Sequence, residues 1–207
     1  MIRPDRTYYI LDEPTATDGR IQGLNWRVSM DEQRFVKPDE ARAVARELGG
    51  LLLGEHRRVL DRSITATQDV EGAYARHGLH MWVFYTRPTQ LHDSIYDYPD
   101  LCNAMPRTLM LHSLLASRLK KPLPRFIVNA LEPGGVVDAH ADDAIDTNVC
   151  MLGEGITRIK DAGDDKIREF ALGPGDVVEF TNPEEISQRA VHSSHNLGPG
   201  MRFALIA

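Results

Sequence analysis

The sequence predicts a mainly β fold with flanking α-helices, and two observations support this prediction. After Pro124 the chain consists of short extended segments that are separated by glycine-rich turns. Before Pro124 several apolar residues recur at the spacing of amphipathic helices. Eight short strands in the second part favour a jelly roll or a related β-sandwich, against which the helices would pack.

Two helices are predicted before Pro124. The first, Pro38 to Leu60, starts with a proline and two acidic residues, and the pair Gly49-Gly50 is a candidate break within it. The second, Pro106 to Lys120, ends before Pro122. Its apolar face would consist of four leucines, Leu111, Leu114, Leu115 and Leu119.

Strands are predicted from alternation and from turn residues. Between the two helices, Leu79 to Tyr85 alternates like a strand. Eight more are predicted at Arg125–Leu131, Val136–His140, Thr147–Leu152, Ile156–Lys160, Lys166–Leu172, Asp176–Phe180, Arg189–Ser193 and Met201–Ile206. Because there is no internal repeat or linker, we expect residues 1–207 to form a single domain. In it, 1–124 would be a helical and mixed buttress that faces the substrate, and 125–207 the β core.

Composition excludes several classes of protein. The 207 residues are 42% hydrophobic and 26% charged, which is ordinary for a globular domain and excludes a disordered chain. No apolar run approaches the roughly 18 residues of a membrane span, and the N-terminus lacks the apolar core of a signal peptide. Cys102 and Cys150 are the only cysteines, so a disulfide scaffold is excluded. We therefore expect a cytoplasmic protein without a membrane partner.

Charge is unevenly distributed along the chain. The net charge is −6, yet residues 126–207 contain 14 acidic and 6 basic side chains, whereas residues 1–125 contain 16 and 18. A basic face of the kind that binds nucleic acid is not predicted, which disfavours a nucleic-acid partner. The acidic second half is compatible with a bound cation.

One group of residues in the second half carries metal-binding chemistry. His140 and Asp142 are two residues apart, so on one extended segment both side chains would point to the same face. His192, from a later strand, would complete a three-point face on a metal ion. Two histidines and one carboxylate are the ligands of non-haem Fe(II) oxygenases, although zinc or manganese would also accept them.

The last 82 residues resemble the double-stranded β-helix core of iron(II)/2-oxoglutarate-dependent dioxygenases, in particular prolyl 4-hydroxylase-like members. Four features match in order. They are the approach Leu131-Glu132-Pro133-Gly134-Gly135 to the His-x-Asp pair, the segment 173–180 (Gly-Pro-Gly-Asp-Val-Val-Glu-Phe), the distal ligand His192, and Gly200-x-Arg202 after it. The resemblance implies a jelly-roll, cupin-like core.

The resemblance also implies the cofactors and the reaction. His140, Asp142 and His192 would hold Fe(II), and Arg202 would pair with the distal carboxylate of 2-oxoglutarate. The protein would use O2 to hydroxylate a C–H bond of a small molecule or a peptide side chain. Succinate and CO2 would be released, with ascorbate as a supporting reductant.

The sequence departs from the family at two co-substrate positions. Leu131 stands where many relatives carry a tyrosine, and Ala204 stands where some carry a serine. Other polar groups must then line the co-substrate pocket, and Asn129 and Asn148 are the candidates.

Several alternatives stay open. A nucleobase-modifying or demethylating oxygenase of the same superfamily is disfavoured by the acidic second half and by the lack of a further arginine after Arg202. A non-catalytic, cupin-like metal-binding protein is disfavoured by the intact triad. His195 is an alternative third ligand, and Asp143 would point away from Asp142. The aromatic-rich stretch from Trp82 to Tyr98 is either core packing or a lid over the substrate.

Overall fold

The computed structural model describes residues 20–23, 25–30, 34–53, 65–68, 78–120, 122–142 and 146–207. Its helices are α1 (Pro38–Leu53), α2 (Pro99–Ala104) and α3 (Pro106–Leu119). Its strands are β1 (Arg20–Gln22), β2 (Trp26–Ser29), β3 (Thr65–Gln68), β4 (Leu79–Tyr85), β5 (Arg125–Leu131), β6 (Val136–His140), β7 (Asp146–Met151), β8 (Gly155–Lys160), β9 (Ile167–Leu172), β10 (Val177–Thr181), β11 (Val191–His195) and β12 (Arg202–Ile206).

The strands form two antiparallel sheets with jelly-roll topology. The large sheet has the order β1-β2-β10-β7-β12-β5-β4-β3, and the small sheet has the order β6-β11-β8-β9. From β5 to β12 the chain passes repeatedly between the sheets, so that β5, β7, β10 and β12 lie in one and β6, β8, β9 and β11 in the other. This arrangement confirms the predicted fold class, a mainly β protein with a cupin-like jelly-roll core and flanking helices.

Both faces of the large sheet are buried. Side chains along each strand alternate between these two faces. Phe126 and Val128 of β5 cluster with apolar side chains of α1 and α3, including Leu48 and Leu115. The opposite face packs against the small sheet through a second cluster, which contains Trp26, Val28, Met151, Ile159, Phe170 and Phe180. Burying each large apolar side chain contributes about 1.5–3 kcal/mol, so both interfaces stabilise the sandwich.

The structure confirms β4 and all eight later strands to within about two residues, the usual uncertainty of element ends. The predicted break at Gly49-Gly50 is wrong, because α1 continues through both residues to Leu53. Gly49 packs close to the Phe203 ring, so the sheet supports the helix there. The predicted remainder of this helix, residues 54–60, lies outside the described residues.

The predicted apolar face of α3 is only partly buried. Leu111 and Leu115 are in the core, but Leu114 is 44% exposed, and the side chain of Leu119 is outside the described part. In the aromatic stretch, Trp82 and Phe84 are core residues, whereas Tyr96 is half exposed.

Three short strands and one short helix escaped prediction. β1 and β2 extend the large sheet beyond β10, and β3 extends it beyond β4, so residues before Pro124 lie on both flanks of the core strands. The helix is α2. None of the helices that the structure describes has the length and apolar character to cross a bilayer. The division of the chain at residue 124 stays a prediction.

Candidate metal centre

His140, Asp142 and His192 come together between the two sheets. β6 and β11 are paired neighbours, and their register sets His140 directly opposite His192. Nε2 of His140 is 3.5 Å from Oδ1 of Asp142, and Nε2 of His192 is 3.8 Å from Oδ2. One candidate ligand atom from each residue lies within 4.8 Å of the others. Among the described residues, no other group of three histidines, cysteines or carboxylates meets this distance.

A β-bulge in β6 turns His140 toward this cluster. Val137 and His140 both line one cavity between the sheets, although residues three apart on a regular strand face opposite sides. The pairing shifts between them, because Ser194 opposes Val137 while His192 opposes His140. Three steps along β6 thus match two steps along β11, which is the extra residue of a bulge.

The position of Asp142 corrects a premise of the sequence prediction. His140 and Asp142 were expected to share a face because both would lie on one extended segment. Instead β6 ends at His140, and Asp142 lies beyond the paired strand. Asp142 therefore approaches the histidines by the path of the chain after the strand, not by strand alternation.

A hydrogen bond orients the ring of His140. Its Nδ1 is 2.8 Å from the carbonyl oxygen of Asp138. Since a carbonyl only accepts, Nδ1 carries the proton and donates, which leaves the Nε2 lone pair directed at the cluster. His192 is positioned by packing, with its ring stacked on Phe180 at a centroid distance of 4.4 Å.

Two of the three side chains, His192 and Asp142, favour the protonation states that a metal site needs. Burial lowers the pKa of His192 to about 4, so its imidazole is neutral at neutral pH. Burial alone would raise the pKa of Asp142, but the hydrogen bond with His140 and the charges of both histidines outweigh it and lower that pKa. Without a bound metal, the hydrogen bond with Asp142 raises the pKa of His140 by favouring a proton on Nε2, and a metal ion would replace that proton. An ionised carboxylate beside a neutral imidazole suits a divalent cation.

Arg202 lies in the same cavity and is almost completely buried. Its Nη1 donates to the hydroxyl of Ser194 at 2.7 Å and to the carbonyl of His195 at 3.0 Å, while Nη2 lies 3.3 Å from the sulfur of Met151. Its Nε is buried without a hydrogen-bond partner. Burial lowers the pKa of Arg202 to about 10, which still leaves it charged at neutral pH. Among the described residues, no carboxylate forms an ion pair with it.

Gly155 makes room for this guanidinium. A Cβ atom at position 155 would lie 2.6 Å from both Cζ and Nε of Arg202, closer than side chains approach in folded proteins. A side chain at the start of β8 would therefore displace the guanidinium of Arg202, which Gly155 leaves in place.

Asn129 and the His140–Asp142–His192 cluster line one cavity, but Asn148 does not. The cavity walls include Leu131, Val137, Val149, Val178, Phe180 and Ile206. Oδ1 of Asn129 is buried in this cavity without a hydrogen-bond partner. Thr147 and Val149 also line the cavity, so the alternation of β7 turns Asn148 to the opposite face. Its expected role as a co-substrate contact does not agree with this position.

The other candidates fall outside the cluster. Nε2 of His195 is 3.1 Å from Nη1 of Arg158, and the His195 side chain does not line the cavity, which argues against it as the third ligand. Asp143 lies outside the described residues. Cys150 is buried in β7, and burial raises its pKa to about 12.

Sequence reasoning missed Ser194 and Gly155, which lie against Arg202, and Thr157, which lines the same cavity. Ser194 had a usable signal, because it follows His192 by two residues on one strand and must share its face. Thr157 is paired with Ser194 in the register of β8 and β11, a long-range relation that no local pattern contains. Gly155 depends on a contact with a distant strand.

Comparisons with known proteins give only low-level likenesses. No family model matches the chain, and no curated protein matches it. The Drosophila melanogaster CENP-C cupin domain is 12% identical with a TM-score of 0.45, over 86% of this chain and 98% of that one.

Two further solved structures match smaller parts of the chain. CapF, a capsular polysaccharide assembling protein of Staphylococcus aureus, is 24% identical with a TM-score of 0.33, over 39% of this chain and 21% of its own. Bacillus subtilis oxalate decarboxylase, with Mn(II) centres, is 14% identical with a TM-score of 0.40, over 66% of this chain and 26% of its own. The chain thus spans about a fifth of CapF and a quarter of the decarboxylase. The fold assignment rests on the strand order of the two sheets.

Proposed function

We propose that this protein is a non-haem Fe(II)- and 2-oxoglutarate-dependent oxygenase. It would hydroxylate a C–H bond of a small molecule or a peptide side chain, with succinate and CO2 as co-products. One observation carries the proposal: Arg202, charged and buried without a carboxylate partner among the described residues, lines the same cavity as a cluster of two histidines and one aspartate.

The donor set fits a divalent iron ion. His140 and His192 offer imidazole nitrogens and Asp142 a carboxylate, the set that non-haem Fe(II) oxygenases use with coordination positions left open. Iron would supply the oxygen-activating chemistry, while the chain binds and orients. The ionised Asp142 offsets part of the cation's charge, and the Asp138 carbonyl keeps His140 in the metal-binding tautomer.

The hydrogen bonds of Arg202 support a carboxylate ligand. Both hydrogens of Nη1 have protein acceptors, in Ser194 and His195, and Met151 accepts one from Nη2. Nε–H and the second Nη2–H remain, and a guanidinium presents such donors as a fork that fits a carboxylate. A buried cation needs such a partner, because an unpaired buried charge is costly. A dicarboxylate such as 2-oxoglutarate would reach both Arg202 and the metal.

The remaining cavity surface would position and shield the reactants. Asn129 lines the cavity, and its Nδ2–H group would donate to a carboxylate of the co-substrate, whose oxygens only accept. The aliphatic and aromatic walls, including Val149, Val178 and Phe180, would exclude water from the reacting groups.

Anaerobic spectroscopy tests the proposal. Fe(II) and 2-oxoglutarate together should give a weak visible absorption band with the wild type that His140→Ala and Asp142→Ala abolish. His80→Ala is the matched control, because His80 is an exposed histidine that does not line the cavity, and it should keep the band. A band retained in both ligand variants would refute the proposed metal site.

A second measurement tests the reaction. In air with ascorbate, the wild type should form succinate from 2-oxoglutarate, and a screen of metabolites and peptides for stimulated succinate release should identify the substrate class. Mass spectrometry should then detect a product with one added oxygen. If protein that gives the anaerobic band forms no succinate with any compound, the protein binds the metal but lacks the proposed activity.

A further inference from the structure

Arg189 is a buried arginine whose hydrogen bonds reach the metal cluster through the main chain. It lies just before β11 and is 6% exposed. Nε donates to the carbonyl of Pro183 at 2.8 Å, Nη2 to the carbonyl of Glu184 at 3.1 Å, and Nη1 to the carbonyl of Asp142 at 2.5 Å. One guanidinium thus joins the loop before β11 to the segment that follows β6.

The hydrogen bond from Arg189 to Asp142 lies beyond the end of the pairing between β6 and β11. The register of β6 with β11 ends at His140, so no cross-strand pairing continues to Asp142. Asp142 must nevertheless hold its carboxylate within 3.8 Å of both histidines. The bond from Arg189 to its carbonyl fixes the backbone of this residue from outside the strand pairing.

The loop that carries Arg189 is itself anchored to the large sheet. Asn25, next to β2, donates its Nδ2 to the carbonyl of Gln188 at 2.9 Å. The loop therefore fixes the position of Arg189, and Arg189 in turn fixes the backbone of Asp142. Asn25 holds the same loop without contacting Asp142, which makes it a useful comparison.

We propose that Arg189 is a positioning residue for the metal ligand Asp142. Its guanidinium sets the backbone of Asp142 so that the carboxylate faces His140 and His192. The inference rests on the metal site of the proposed function, but it does not depend on 2-oxoglutarate or on catalysis. Groups that orient metal ligands commonly change metal affinity by about 10- to 100-fold when they are removed.

Titration with Co(II), which reports binding through its visible spectrum, tests the proposal on the purified full chain. Arg189→Met keeps an unbranched side chain but removes all three hydrogen bonds. We expect it to bind Co(II) about 10- to 100-fold more weakly than the wild type, with an altered spectrum. Asn25→Ala, the matched control, should lower thermal stability while its Co(II) affinity stays within about twofold of the wild type.

Arg189→Lys keeps the charge but cannot donate to three carbonyls at once. It should fall between the wild type and Arg189→Met, and it carries the test if the methionine variant does not fold. Wild-type Co(II) affinity in the folded Arg189 variants would overturn the positioning role while the metal site stands. An equal loss of affinity in Asn25→Ala would also overturn it, because loosening of the loop would then be the cause. Absence of saturable Co(II) binding in the wild type would instead overturn the metal site of the proposed function.

Discussion

At the scale of single residues, the cavity combines groups that a folded protein rarely buries without a ligand. Oδ2 of Asp142, Nε of Arg202 and Oδ1 of Asn129 are all buried without a hydrogen-bond partner. Each such atom costs about 1–3 kcal/mol if it stays unsatisfied. Three of them in one cavity point to a polar ligand with both cationic and anionic parts, such as a metal ion together with a carboxylate.

Replacing Arg202 should separate binding of the co-substrate from binding of the metal. Arg202→Ala should leave metal affinity nearly unchanged, since arginine is not a metal ligand. Affinity for 2-oxoglutarate should fall by about 2–5 kcal/mol, or roughly 30- to several-thousand-fold, because a buried carboxylate loses its charged partner. Arg202→Lys should recover part of the loss. Titration of 2-oxoglutarate into metal-loaded wild type and variants measures this, and three equal affinities would contradict the assigned role.

Gly155→Ala should act on the same pocket without removing any polar group. The added Cβ would lie 2.6 Å from the guanidinium of Arg202, which must then move or distort. We expect weaker 2-oxoglutarate binding with unchanged metal affinity. Gly200→Ala is the matched control, because a Cβ there meets nothing within 4 Å. If both variants bind 2-oxoglutarate as the wild type does, the close approach of Gly155 to Arg202 does not matter for the ligand.

At the scale of elements, a side chain of α1 caps the N-terminus of α3. Met105, before α3, provides no side-chain cap. Glu47 of α1 instead accepts hydrogen bonds from the backbone N–H groups of Arg107 and Thr108, at 3.1 and 2.8 Å, and from the Thr108 hydroxyl at 2.7 Å. A carboxylate at a helix N-terminus also interacts favourably with the helix dipole.

Removal of this cap should destabilise the protein without disturbing the metal site. Glu47→Ala should lower the free energy of unfolding by about 0.5–2 kcal/mol, the usual effect of losing an N-cap. Glu40→Ala is the control, since it removes an exposed ion pair with Arg107 that contributes at most about 1 kcal/mol. Urea denaturation of the three proteins makes the comparison. A loss in Glu47→Ala no larger than in Glu40→Ala would show that the cap does not stabilise α3.

At the scale of the whole molecule, the site depends on both sheets. The small sheet supplies His140 and His192, and the large sheet supplies Arg202 and Asn129, so the cavity exists only when the sandwich is closed. Ligand binding at such a site is coupled to folding, because the unfolded chain does not hold these groups together.

Metal binding should therefore raise thermal stability. With free Mn(II) or Co(II) at 100 times its dissociation constant, the native state gains about 2.7 kcal/mol, or roughly 5–10 °C in Tm for a chain of this size. Chelation should reverse the shift, and Asp142→Asn should abolish it. Differential scanning calorimetry with and without metal measures the effect. A shift of the same size in Asp142→Asn would place the stabilising ion elsewhere in the protein.

The strands of the core and the residues of the triad could be predicted from the sequence alone. Alternation and glycine-rich turns are local properties, so segments such as β5 and β12 could be recognised from their own residues. The His-x-Asp pair, His192 and Arg202 could be recognised because their order and spacing are also properties of the sequence. β1, β2 and β3 were missed because strands of three or four residues carry little alternation and are stabilised by pairing with distant strands.

The way in which these residues meet depends on long-range packing. The bulge that turns His140 inward follows from the pairing of β6 with β11, and the path of the chain beyond β6 brings Asp142 to the histidines. Burial of Arg202 beside Gly155 and Ser194 also depends on strands that are far apart in sequence. Residue types and periodicity are local, whereas register, burial and the position of a chain beyond a strand end depend on long-range packing, which no local pattern records.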